Sequence, residues 1–199
     1  MQVRVRWRGV SVASLREFLI RRPFRGRARR SFESTLHTSS RLAILSDVFR
    51  PSAGVAVFKG ADDPALAKYR PQAIAGSLGQ VLELARRIEA GELRLTVHHS
   101  VTVFVSLYTG RLDEEIRDFL WRVFQVPVFE QLRGPSFELL AWECEAHDGL
   151  HANGKDVGFE GGNDPVILEA CSCGVHGFKW HARKRHSAAL AAHAPASNY

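Results

Sequence analysis

The chain has 199 residues, 45% of them hydrophobic and 24% charged, which is enough to bury a real core and matches a soluble globular protein of one domain, or a domain plus a tail. No run of about eighteen apolar residues occurs, and the opening "MQVRVRWRG" lacks the apolar centre of a signal peptide, so the expectation is no membrane span, no secretion and a cytoplasmic location. The net charge of +6 is unevenly spread: residues 1–50 carry twelve arginines against Glu17, Glu33 and Asp47.

After a short alternating start (Val3, Val5, Trp7), "SVASLREFLIRR" spaces Val12, Leu15, Phe18 and Leu19 as a helix does, with Ser11 as N-cap and Pro23 as stop. The following "RRPFRGRARR" concentrates positive charge. One reading is contact with nucleic-acid phosphates through Arg21, Arg22, Arg25, Arg27, Arg29 and Arg30; the other is a basic surface that meets an acidic neighbour or partner subunit. No RNP, zinc-finger or helix-turn-helix pattern accompanies the charge.

"RLAILSDVF" fits a short helix or a strand, and "GVAVFKG" a strand. "ADDPALAKYRP" is expected as a loop or helical turn leading into the short strand "QAIAG". "SLGQVLELARRIEAGEL" then predicts a helix with Leu78, Val81, Leu82, Ala85 and Ile88 inward, Ser77 as N-cap and Gly91 as stop. The run Val101 to Val105 is rich in β-branched residues and reads as a strand covered on both faces.

"TGRLDEEIRDFLWRVF" is amphipathic, with Leu112, Ile116, Phe119, Leu120 and Val123 inward and Asp113, Glu114 and Glu115 in the first turn, where negative charge suits the helix dipole. The strand "VPVFEQ" and then "FELLAWE" follow. Strands alternating with helices predict an α/β fold with a parallel or mixed sheet and flanking helices. The expected division is a basic N-terminal segment over 1–50 packed on or leading into the core, an α/β core over 51–180, and a flexible tail over 181–199, where "HARKRHSAALAAHAPASNY" has few large apolar residues.

All three cysteines fall in two short stretches, "ECEAHDGLH" (143–151) and "CSCG" (171–174). Cys171 and Cys173 are too close in sequence for an ordinary disulfide with each other. Clustered thiols beside histidines read as metal ligands. Zinc takes four nitrogen or sulfur ligands, and Cys144-x2-His147 with Cys171-x-Cys173 supplies that number; His151 competes with His147 for the histidine position. His176 and His181 lie near the second pair. Four protein ligands leave no place for water, so the role expected of the ion is structural. The competing account is a buried apolar Cys144 that ends a strand, with Cys171 and Cys173 incidental.

With these motifs in view, residues from about Tyr69 to Gly174 resemble the phenylacetate-CoA ligase-like branch of the adenylate-forming acyl-CoA synthetases, which includes coenzyme F390 synthetase-like proteins. The resemblance rests on "YRPQAIAGSLGQVLELARRIEAGELRL", on "VFVSLYTGRLDEEIRDFLWRVFQVPVFEQ" and, most specifically, on "ECEAHDGLH" with "CSCG". It implies an adenylate-forming-ligase-like core with zinc-stapled loops. Where the family has Tyr-Gly-x-Thr-Glu, this chain reads Arg133-Gly134-Pro135-Ser136-Phe137-Glu138. The resemblance carries Gly134 across as a nucleotide contact and Glu138 as a magnesium-site glutamate, while the aromatic adenine contact is missing. "STLHTSS" has hydroxyls but no glycine to curl around phosphates. The family's ribose-binding segment and its catalytic lysine domain have no counterpart.

These departures point to a non-catalytic, zinc-stabilised relative acting as a binding or assembly subunit, with a protein partner or as a homo-oligomer. A split or divergent ATP- and Mg2+-dependent acid–thiol ligase is the first alternative, and a zinc-containing nucleic-acid-binding module the second.

Overall fold

The computed structural model describes residues 31–32, 41–106, 111–153 and 166–180. The helix expected over "SVASLREFLIRR", the six arginines of "RRPFRGRARR", "STLHTSS" from Thr35 on to Ser40 together with Ser34, His181 and the tail 181–199 lie outside the described residues.

Among the described residues, nine strands form one sheet: β1 (Leu42–Leu45), β2 (Val55–Phe58), β3 (Ala73–Ser77), β4 (Ser100–Val105), β5 (Val128–Arg133), β6 (Leu139–Glu143), β7 (Leu150–Ala152), β8 (Val166–Ala170) and β9 (His176–Trp180). Helices α1 (Ala65–Tyr69), α2 (Leu78–Glu89) and α3 (Glu114–Phe124) lie in the β2–β3, β3–β4 and β4–β5 connections. The order across the sheet is β2-β1-β3-β4-β5-β6-β7-β9-β8. Pairing is parallel from β2 to β5 and antiparallel from β5 onward. The α/β class and mixed sheet expected from sequence are thus observed. "RLAILSDVF" resolves as a strand, and β1, drawn from the segment 1–50, lies between β2 and β3.

Alternation along the strands divides the core into two layers. Ala43, Leu45, Ile74, Val101, Val103, Val105, Val128 and Leu132 face the layer that receives Val81, Leu84 and Leu120 from the helices. Leu42, Ile44, Ala73, Ala75 and Phe104 face the other, which Phe49, Phe32 and Phe137 cover. In that second layer the guanidinium of Arg133 stands 5.4, 5.5 and 5.1 Å from the ring centroids of Phe32, Phe49 and Phe104. A buried cation is tolerable there because the ring faces carry negative electrostatic potential and because Gln131 Oε1 accepts from Arg133 Nη2 at 2.5 Å.

The helices begin and end where their sequences direct. Ser77 occupies the N-cap position of α2 in extended backbone, although its side chain makes no capping bond, and Gly91 follows the helix at φ +74°. Asp113 caps α3 by accepting from the Glu115 N–H at 2.8 Å. Of the residues expected inward on α2, Val81 and Ala85 are fully buried, and Leu84 joins them. Leu84 sits three residues past Val81, on the same helical stripe. Leu84→Ala should therefore cost about 2–5 kcal/mol by the cavity it leaves. Urea unfolding would record this as a lower midpoint at unchanged slope.

Candidate metal centre

Strand β6 ends at Glu143 and the chain turns at once. The His147 N–H donates to the Cys144 carbonyl at 3.0 Å, His147 takes φ +50° and Gly149 φ +77°, and β7 then returns alongside β6. A second tight turn joins β8 to β9: the Gly174 N–H donates to the Cys171 carbonyl at 2.9 Å and the Cys171 N–H to that of Val175 at 3.1 Å. Gly174 stands at φ +85°, a conformation that residues with a Cβ adopt only at a cost of about 1–2 kcal/mol. Strands β7 and β9 pair side by side, and side chains from the two turns meet next to them.

There the ligand atoms of Cys144, His151, Cys171 and Cys173 all lie within 4.8 Å of one another, so the group could hold a metal ion. Cys144 Sγ is 3.6 Å from Cys171 Sγ, and Cys173 Sγ is 3.3 Å from His151 Nε2. Cys144, His151 and Cys171 are buried and Cys173 is exposed. The imidazole of His151 is directed by its neighbour across the strands: Trp142 pairs with His151 in the β6–β7 register, and the two rings stack at 5.4 Å.

His147 lies outside this group. Its Nδ1 is 3.0 Å from Glu143 Oε1, and its ring stacks on Phe129 at 5.0 Å and 8°. His176 is likewise not among the four. Gly134 and Glu138 form the β5–β6 hairpin turn. The Gly134 N–H donates to the Glu138 carbonyl, the Ser136 N–H donates to Glu138 Oε2 at 2.9 Å, and a Cβ at position 134 would collide with the Glu138 carboxylate. Glu138 is therefore folded back over its own turn.

The two buried thiols differ in acidity. Burial pushes the Cys144 thiol up to about 11. Burial pushes on Cys171 in the same sense, but the Cys173 N–H, the thiols of Cys173 and Cys144 and the positive charge of Lys179 outweigh it and bring Cys171 down to about 7. A cation placed among such groups displaces their protons, so metal uptake releases acid.

Behind the turn of Cys144 lies a buried ionic network that the sequence did not announce. Glu130 is completely buried and Glu143 nearly so, on adjacent strands and on the helix side of the sheet. Arg111 Nε donates to Glu130 Oε2 at 2.8 Å, and Arg117 of α3 donates to Glu143 Oε2 from Nη1 and from Nη2, each at 3.1 Å. Arg117 also reaches the Val128 carbonyl, and Glu143 Oε2 accepts from the Glu130 N–H at 2.9 Å. The one signal in the sequence was an acidic residue at an inward position of each apolar strand, "VFEQ" and "LLAWE".

Burial raises the Glu130 carboxyl above 4.5, with the Arg111 charge opposing. The folded state then holds this proton to higher pH than the unfolded chain does. Its contribution to stability is fully present below about pH 4.5 and is lost as pH rises through the folded value. Glu130→Gln should remove that part of the slope, which urea midpoints measured from pH 4 to 8 would show; an identical slope in the variant would assign it to other groups.

No family model matches the chain, and no curated protein matches it. Among solved structures it is similar to an open conformation of 2-hydroxyisobutyryl-CoA ligase in complex with 2-HIB-AMP and CoA, with a TM-score of 0.38 and 13% identity. The match covers 57% of this chain and 30% of the ligase chain. Among the described residues, no helix is long and apolar enough to cross a membrane.

Proposed function

We propose that Cys144, His151, Cys171 and Cys173 hold a structural zinc ion, and that the chain is a zinc-stabilised binding or assembly subunit. The observation that carries this reading is the convergence of three sulfurs and one imidazole nitrogen from two separate turns. With zinc bonds of about 2.3 Å to sulfur and 2.0 Å to nitrogen, a tetrahedron separates two sulfurs by about 3.8 Å and a sulfur from a nitrogen by about 3.5 Å. The 3.6 and 3.3 Å separations found here are close to both. Soft thiolates with imidazole favour zinc over the hard cations that oxygen ligands select.

A closed set of four protein ligands gives the ion no position for water or substrate, which favours a structural part over a catalytic one. The assembly role follows the ligase resemblance of residues 69–174 and the altered nucleotide motif at Arg133–Glu138, which lacks the aromatic adenine contact. In the ATP-dependent ligase reading Glu138 would hold magnesium, yet its carboxylate is occupied within its own turn.

Two measurements test the proposal. Purified protein loaded with zinc should retain one equivalent per chain after desalting, and Cys171→Ser should lose it. Calorimetric titration with ATP and Mg2+ should then show no heat of binding. Micromolar binding that Glu138→Ala abolishes would replace the subunit reading with that of a split ligase.

A further inference from the structure

Lys179 is 1% exposed, and an ammonium group is that deeply buried only where negative charge accompanies it. Its Nζ donates to Asp148 Oδ2 at 2.9 Å, but the Asp148 side chain is 66% exposed and largely in water. The position of Lys179 in the sheet is the informative point. It pairs directly with His151 in the β7–β9 register, so the two side chains stand on the same face. Asp148 belongs to the turn that begins at Cys144, and β9 follows the turn that contains Cys171 and Cys173. The lysine, its carboxylate partner and the four ligands thus converge from β7, β9 and the same two turns.

The charge of the centre explains why a cation belongs there. A divalent ion with three thiolates and a neutral imidazole carries a net charge of −1, mostly buried, and a buried unpaired charge is costly in a medium of low polarisability. We propose that Lys179 is the counter-cation of the Cys3His centre: a positioning residue that neutralises the thiolates without touching the metal, tuned by the competing carboxylate of Asp148. The inference rests on the zinc reading above. Among the described residues, the charged or titratable groups that face Lys179 include His151 from β7 and Asp148 from the β6–β7 turn.

Two effects follow at fixed pH. Removing the lysine charge makes the thiolate set less favourable and weakens metal binding. It also leaves the zinc-bound sulfurs more electron-rich, so that exposed Cys173 reacts faster with an alkylating agent. Loss of a residue that supports metal ligands from outside the coordination shell typically costs about 10–100-fold in metal affinity.

The experiment is zinc competition against a chromophoric chelator with the full chain, paired with iodoacetamide alkylation of the zinc-loaded protein. Lys179→Met, which keeps the length and removes the charge, should weaken zinc by about 10–100-fold and quicken alkylation. Lys179→Arg should restore both, which a purely steric role would not allow. Asp148→Asn, at an exposed position, should tighten zinc, because it frees the lysine charge for the thiolates; this variant carries the test if Lys179→Met does not fold. Unchanged affinity in Lys179→Met, equal weakening in Lys179→Arg, or unchanged or weaker binding in Asp148→Asn would overturn the counter-cation. A parent chain that binds no zinc would overturn the metal reading and this inference together.

Discussion

Removing zinc from the loaded protein is expected to open the C-terminal end of the sheet before the rest. The reason lies in how β9 and β8 are attached. Between β7 and β9 the register contains two residue pairs, Leu150↔Trp180 and His151↔Lys179, which is a short seam for holding a two-stranded hairpin. The proposed ion spans that same seam, because Cys144 and His151 lie on one side of it and Cys171 and Cys173 on the other. Structural zinc binds small peptides with about 10–16 kcal/mol at neutral pH, and in such systems binding energy is folding energy. Most of the buried core is drawn from strands β1 to β5 and the helices, away from the ligands, so a smaller share is expected to appear as global stability. A loss of even about 5 kcal/mol would lower the melting temperature of a chain of this size by about 10–20 °C. Hydrogen exchange should show lost protection in β7, β8 and β9 with β1, β3 and β4 still protected, and Cys171→Ser should reproduce the pattern without chelator. A metal-free preparation with the same melting temperature and the same exchange map would defeat the structural role.

Arg117→Met is expected to be strongly destabilising on the helix side of the sheet. Arg117 is the residue that joins α3 to Glu143 and approaches Glu130 at 3.9 Å. Removing it leaves two buried carboxylates to share Arg111, and breaking one partner out of a buried ion pair typically costs about 3–5 kcal/mol. Arg122 on the same helix provides the control. Its side chain is 66% exposed and 4.0 Å from Glu89, so Arg122→Met should stay within about 0.5 kcal/mol of the parent. Pairing Arg117→Met with Glu143→Gln in a double-mutant cycle separates the ion pair from the packing of the arginine stem. Additive losses would mean that the network contributes nothing beyond its parts.

The parallel half of the molecule was readable because each of its elements announces itself locally. Runs such as "SVTVFV" are rich in β-branched residues and buried on both faces, and α2 and α3 are amphipathic, α2 with its N-cap and stop at the expected Ser77 and Gly91. The antiparallel half was not readable in the same way. Strand β7 has three residues, and "HGFKW" in β9 mixes glycine, lysine and aromatics in a pattern that makes sense only once Trp180 is paired with Leu150 and Lys179 with His151. The cysteines could be grouped from spacing alone, yet spacing could not choose between His147 and His151. That choice depends on strand register: β6 and β7 pair Trp142 with His151 and so turn its imidazole toward the cysteines, while His147 is left in the turn beside Glu143. The buried carboxylates escaped notice because a charge in a strand is ordinarily assigned to the solvent face.

The change of pairing at β5 also orders events during synthesis. Strands β1 to β5 precede β6 to β9 in the chain, and the two groups meet along a single edge, where β5 pairs with β6. As the polypeptide leaves the ribosome, the parallel half emerges first and must close its long β-α-β connections, which are slow to form. The hairpins that carry the cysteines emerge afterward and fold against an edge that already exists. If the proposed zinc is bound, its capture is a closing step of biogenesis, and a cell short of zinc would accumulate chains whose first half is built and whose last strands remain exposed at an open sheet edge.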